Sequence, residues 1–197
     1  MHLEKVIEII HDEQMLEVVR APVIWLYGLS GAGKTTLARL AAKQLRAEGR
    51  QVVVLDGDEL RAGLCRGLGY NEEGRLENVR RAAELARLVS CQGVLVLVAL
   101  MTPHRRMRDL AAQILGDVLT TVHLSCDHAV CVARDVKGLY REAAAGIVKH
   151  LPGNDMVFEG ANHGEVSLNT GSLSPEECLH QLMNLMQTSG GPSLIQG

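Results

Sequence analysis

The octapeptide Gly28-Leu29-Ser30-Gly31-Ala32-Gly33-Lys34-Thr35 follows directly on the apolar run Val23-Ile24-Trp25-Leu26-Tyr27 and meets the pattern G-x-x-x-x-G-K-[ST]. A buried strand therefore feeds a phosphate-cradling loop. Leu37, Leu40, Ala41 and Leu45 then recur at helical spacing, so the loop opens a helix whose N-terminal N–H groups and positive dipole end face the bound anion. Gly28, Gly31 and Gly33 let the backbone wrap phosphate oxygens, and Lys34 adds a point charge to them. Thr35 places its hydroxyl on a Mg²⁺ ion, and Gly28 to Thr36 are the residues expected to bind a nucleoside triphosphate. The competing reading is a glycine-rich turn with a chance lysine, and the strand–loop–helix order argues against it.

A chain of 197 residues with 47% hydrophobic content forms one domain with one core. Net charge is −3 and no basic run stands out, so neither nucleic acid nor a membrane surface is an expected partner. The anionic partner should be small. Five cysteines without a C-x-x-C spacing point to reduced thiols and a cytoplasmic protein. The longest apolar run, Val94 to Met101, is too short to span a bilayer.

Residues 2–19 carry Leu3, Val6, Ile7 and Ile10 on one helical stripe, and 1–21 reads as a helical extension. Val52-Val53-Val54-Leu55 is a second buried strand and runs into Asp56-Gly57-Asp58, at the edge of what is expected to be the neighbouring strand. A short helix over Asp58 to Arg61 leads to Gly63–Tyr70, where three glycines allow movement around a ligand. A helix from Arg75 to about Val89, a central parallel strand from Gly93 to Leu100 and a helix to Leu115 follow. Then come a strand over 120–125, helices through Val130 and up to Gly146, and a last short strand at Val166-Ser167-Leu168. Ser174-Pro175-Glu176-Glu177 starts a closing helix with N-cap, N1 proline and capping-box glutamate, and 189–197 reads as a frayed tail. The expected fold is α/β, an open parallel sheet of the P-loop NTPase type with helices on both faces, and ligands collect at the carboxyl ends of its strands.

Asp58 stands where a carboxylate can take a proton from an attacking hydroxyl. Arg61 lies one helical turn on, and Arg75 and Asn78 share a face by the same spacing. Arginines converging with Tyr70 describe a pocket for a nucleotide-like acceptor, since guanidinium forks take phosphate or sulfate and a ring stacks on a base. Each has a plainer reading. Asp56 and Asp58 can cap the helix that follows, Arg80, Arg81 and Arg87 can be a solvated face paired with Glu77 and Glu84, and Tyr70 can be core. No histidine has metal-ligand spacing. The strand ending at Leu100 carries no acid, so Asp56 or Asp58 is expected to reach Mg²⁺ through water.

The phosphate loop, Leu55-Asp56-Gly57-Asp58-x-x-Arg61, Leu68-Gly69-Tyr70, Arg75-x-x-Asn78-x-Arg80-Arg81, Thr102-Pro103-His104-Arg105 and Arg134-Asp135-x-Lys137-Gly138-Leu139-Tyr140 together resemble the adenylylsulfate kinase (APS kinase) family over residues 22–188. The resemblance implies ATP-dependent phosphorylation of the 3′-hydroxyl of adenosine 5′-phosphosulfate (APS) to give PAPS, the activated sulfate donor. It implies Asp58 as catalytic base with Lys34 and Thr102, and Arg134 near the ATP adenine. It further implies an acceptor site of Asp56, Arg61, Tyr70, Arg75, Asn78, Met101, Thr102 and Leu151, with Lys137 on a lid over both nucleotides. Homodimers are common in the family, and association with a separate ATP sulfurylase stays open. Leu151-Pro152-Gly153 stands where the family carries Phe-Thr-Gly, so one stacking face is aliphatic. That departure keeps open a relative that phosphorylates another nucleotide-linked acceptor, such as a cytidine diphosphoramidate. A non-catalytic nucleotide-binding subunit is the third reading, and intact Lys34, Thr35 and Asp58 count against it.

Overall fold

A computed structural model describes residues 20–161 and 165–188. The expected helical extension falls outside them except for Arg20 and Ala21, and the expected tail falls outside them altogether. Strands and helices alternate: β1 (Val23–Tyr27), α1 (Lys34–Ala47), β2 (Val52–Asp56), α2 (Gly57–Ala62), α3 (Glu72–Ser90), β3 (Leu95–Ala99), α4 (Arg105–Leu115), β4 (Leu119–Ser125), α5 (His128–Arg134), α6 (Leu139–Ala144), β5 (Val166–Asn169) and α7 (Pro175–Thr188). The strands form one sheet in the order β2-β3-β1-β4-β5, with every pairing parallel. β1 is thus central, with Val23 opposite Val96 on one side and Leu119 on the other.

All five residues of β1 are buried, as expected of a parallel strand covered on both faces. Their alternation sorts two hydrophobic layers. Ile24 and Leu26 pack with Leu37, Ala41 and Leu45 of α1 and Leu182 of α7. Val23, Trp25 and Tyr27 pack with Val79, Ala82 and Ala86 of α3 and Met107 and Ala111 of α4. Among the described residues no helix is long and apolar enough to cross a membrane.

The structure changes one expectation about the order of strands. β2 does not neighbour β1, because β3 lies between them, pairing Leu55 with Val98 and Asp56 with Ala99. Continuous apolar runs mark strands covered by helices, the edge strand β2 among them, but carry no information about which pairs with which. Several helix ends follow their chemistry. Ser174 and Glu177 cap α7 reciprocally, with Glu177 N–H donating to Ser174 Oγ at 3.2 Å and Ser174 N–H to Glu177 Oε2 at 2.7 Å. α3 starts three residues before the expected Arg75 because Asn71 caps it, accepting from Gly74 N–H at 3.1 Å.

Candidate functional site

The carboxyl ends of β1, β2 and β3 open into a cavity of about 1060 Å³, at the upper end of the roughly 300–1,000 Å³ usual for a single small-molecule site. Its floor is the phosphate loop. Gly31 has φ 78°, and a Cβ there would lie 3.0 Å from the Cys131 carbonyl oxygen, so only glycine lets the loop pass α5 this closely. Ser30, Gly31, Gly33, Lys34, Thr35 and Thr36 face the cavity. Gly28, Leu29 and Ala32 lie beneath it: Lys34 Nζ donates to the Gly28 carbonyl at 2.9 Å and to the Leu29 carbonyl at 2.7 Å, and the Ala32 carbonyl accepts from Thr170 Oγ1 at 2.9 Å. Burial, and then the nearby charge of Lys137, push the Lys34 ammonium down to about 8.

Asp56 has two tasks. One carboxylate oxygen caps α2 by accepting Asp58 N–H at 2.9 Å, and the other accepts the Thr35 hydroxyl at 2.6 Å across the end of β3. These bonds hold the Asp56 carboxyl below the usual carboxylate range, outweighing its burial. Because Thr35 donates its proton to Asp56, its oxygen lone pairs stay free. Two hard oxygen donors beside the phosphate cradle fit Mg²⁺. Asp58, not needed as the cap, projects a largely exposed carboxylate into the cavity, where it is ion-paired with Lys137.

Arg61 and Arg75 build the wall opposite the loop, and Arg81 braces the segment behind it. Arg61 Nη1 donates to the Leu68 and Gly69 carbonyls at 3.0 and 3.3 Å, Arg75 Nε to the Tyr70 carbonyl at 2.8 Å, and Arg81 Nη1 to the Leu64 carbonyl at 2.8 Å. Residues 63–70, expected to move, are thus fastened by charged donors to backbone oxygens. The Tyr70 ring is 57% exposed and faces the cavity, with the Arg61 guanidinium 4.2 Å and that of Arg75 5.6 Å from its centroid. It is a platform, not core. Asn78 is 3% exposed, and its Oδ1 has no hydrogen-bond partner within the described protein. An unmet buried acceptor costs about 1–3 kcal/mol, so a ligand donor there is favoured. Glu77 is held at about 2 by Arg80 and Arg81, which confirms the paired-face reading of those arginines.

Lys137, Leu151 and Met101 also line the cavity. Arg134 closes its far end, donating to the Gly31 carbonyl at 3.2 Å and the Thr170 carbonyl at 2.7 Å. Thr102 is the exception. Fully buried, it accepts the Trp25 indole N–H at 3.4 Å, while its carbonyl accepts from Arg108 at 3.1 Å, and it is no part of the cavity wall. The extended chain after β3 alternates its sides, so Met101 points into the cavity and Thr102 points to the α3/α4 layer. Its expected place among the reacting groups is therefore corrected to a structural one. Sequence reasoning also missed Thr170, Leu173, Val136 and Ile147 on the wall. No motif marks them; Thr170 follows β5, itself found only as a short apolar run.

A profile of the adenylylsulphate kinase family matches residues 20–169. The adenylyl-sulfate kinase of Bacillus licheniformis is 42% identical over 169 residues, covering 85% of this chain and 86% of the relative. The solved Mycobacterium tuberculosis APS kinase CysC, in complex with AMPPNP and APS, superposes with a TM-score of 0.82 at 34% identity, covering 85% of this chain and 98% of that one. The hexameric APS kinase of Thiobacillus denitrificans matches with a TM-score of 0.64 at 25% identity, over 92% of this chain and 31% of its own. With the profile spanning most of the sequence and the phosphate cradle joined to an arginine-lined wall in one cavity, this chain belongs to the adenylylsulphate kinase family.

Proposed function

We propose that this protein transfers the γ-phosphoryl group of ATP to the 3′-hydroxyl of APS, giving PAPS and ADP. The observation that carries the reading is one continuous cavity holding the triphosphate cradle, Asp58 and the Arg61–Tyr70–Arg75 wall. Lys34 and the loop N–H groups bind the β- and γ-phosphates and spread the charge of the moving phosphoryl group. Arg134 flanks the ATP base. Arg61 and Arg75 hold the acceptor's phosphosulfate, Tyr70 stacks on its adenine, and Asn78 Oδ1 accepts a hydrogen bond from it. Asp58 takes the 3′-hydroxyl proton as that oxygen bonds to the γ-phosphorus in line with the ADP oxygen whose bond breaks, which requires Lys137 to leave its ion pair and turn to the phosphates. Mg²⁺ would be held by Thr35, with Asp56 reaching its hydration shell, and supplies charge neutralisation at the β/γ oxygens. The protein acts in the cytoplasm, as a homodimer, with residues 22–188 as the kinase unit. Size-exclusion chromatography with light scattering tests the dimer.

The activity is tested by coupled measurement of ADP release from MgATP with APS, with cytidine diphosphoramidate and with no acceptor. APS-dependent turnover with PAPS as product is expected; turnover with cytidine diphosphoramidate alone transfers the reading to that acceptor. The aliphatic face at Leu151 makes one further outcome specific. Base–aromatic stacking is worth roughly 1–3 kcal/mol, so Tyr70→Ala should raise the APS KM about tenfold or more, and Leu151→Phe should lower it. Equal KM values in both variants and the parent would show that neither side chain meets the base.

A further inference from the structure

Residues 150–156 form a compact turn beside the acceptor wall. Its centre is Asp155, whose two carboxylate oxygens accept the His150 N–H at 2.7 Å and the Leu151 N–H at 2.6 Å. His150 has φ 60°, a left-handed conformation that is costly for a residue with a Cβ and persists only where neighbours fix it. In that conformation the His150 carbonyl accepts from Arg75 Nη2 at 2.7 Å. Arg75 is therefore a brace: Nε holds the Tyr70 carbonyl at 2.8 Å while Nη2 holds the carbonyl of the turn. Leu151, the next residue, is 4% exposed and lines the cavity. The turn is closed by Gly153 N–H donating to the Met156 carbonyl at 2.8 Å and Asn154 N–H to the Leu151 carbonyl at 3.0 Å. It is seated against the phosphate loop at Gly153, where an added Cβ would come within 2.6 Å of Leu29 Cδ2.

Asp155 itself is not on the cavity wall, yet the placement of two wall elements runs through it. One is Leu151, through its own N–H. The other is the guanidinium of Arg75, through the His150 carbonyl. From this geometry we infer that Asp155 is a positioning residue for acceptor recognition, fixing Leu151 and Arg75 together so that the base and the anionic group of the acceptor are met at one spacing. The inference rests on the APS reading above and goes beyond it by naming a residue outside the site as a determinant of acceptor affinity. The hydrogen bonds of the donor half do not pass through Asp155: Lys34 is held by the Gly28 and Leu29 carbonyls, and Thr35 by Asp56.

The test is steady-state kinetics of Asp155→Ala and Asp155→Asn in the full chain, with APS and ATP varied separately. Asp155→Ala should raise the APS KM about 10- to 100-fold, the range expected when a supporting group shifts a binding group, while the ATP KM and the kcat at saturating APS stay within about twofold. Asp155→Asn keeps one acceptor oxygen and should fall between alanine and the parent, which also guards against a variant that does not fold. An unchanged APS KM in both variants overturns the inference, as does a parallel loss of ATP and APS affinity. A parent enzyme that turns over ATP with no APS dependence overturns the activity itself and this inference with it, so the two failures are distinguishable.

Discussion

Asp58→Asn should lower kcat about 10²- to 10⁴-fold, the range for loss of a positioned general base, while MgATP affinity stays within about twofold. The substitution keeps the shape of the side chain and removes its negative charge and its capacity to take a proton. It leaves the helix start intact, since the cap of α2 is Asp56, not Asp58. The cost to folding should be no more than the few tenths of a kcal/mol to about 1 kcal/mol that a carboxylate contributes near a helix N-terminus. The variant also frees Lys137 from its ion pair. Steady-state turnover and equilibrium titration of MgATP decide the matter together. Turnover within about threefold of the parent would remove Asp58 from the chemistry and leave it as the resting partner of Lys137.

Lys34→Met should lower kcat/KM about 10²- to 10³-fold, comparable to removal of one donor aimed at developing charge. Stability should move in the opposite direction. Burial pushes Lys34 down to about 8 from its ordinary 10.5, so the empty fold disfavours the charged form. A neutral, apolar replacement of similar length removes that penalty, and chemical denaturation should find Lys34→Met no less stable than the parent. The same shift fixes the pH dependence. Below about 8 Lys34 carries its proton in the free protein and meets the triphosphate ready charged. Above that, ATP binding must take up a proton, so affinity should fall by up to about tenfold per pH unit between pH 8 and 9. In the absence of nucleotide the sign reverses: the unfolded chain holds the proton up to its higher pKa, so Lys34 makes stability rise with pH between about 8 and 10.5. Calorimetric titration at pH 7 and 9 in parent and Lys34→Met separates this effect from other titrating groups, because the variant should lose the slope.

Most of the site was legible because its chemistry is local. A strand, a glycine loop and a helix in sequence place Lys34 and Thr35 without reference to the rest of the chain. Asp58 and Arg61, or Arg75 and Asn78, share a face through one helical turn. Features that depend on pairing between distant segments were not legible. Whether Asp56 or Asp58 meets Thr35 depends on the insertion of β3 between β1 and β2, which no apolar pattern encodes. The fastening of 63–70 depends on arginine side chains finding backbone oxygens, and glycine content alone argued for motion. Thr102 carried a motif and nevertheless faces the core, because its side is set by the register of the strand before it. His150 acts through its main-chain carbonyl, for which side-chain identity gives no signal, and the Asp155 carboxylate meets main-chain N–H groups that no motif spacing marks.

Trp25 is the chain's one tryptophan, wholly enclosed in β1 with its indole donated to Thr102. Its emission therefore reports the packing of the sheet against α3 and α4, on the side away from the phosphate loop's own helix. Loss of the sheet exposes it to water, whereas Trp25 itself is not on the cavity wall. The protein thus carries an intrinsic optical probe of unfolding that is separate from its nucleotide site, and ligand effects on global stability can be followed in it without an added dye.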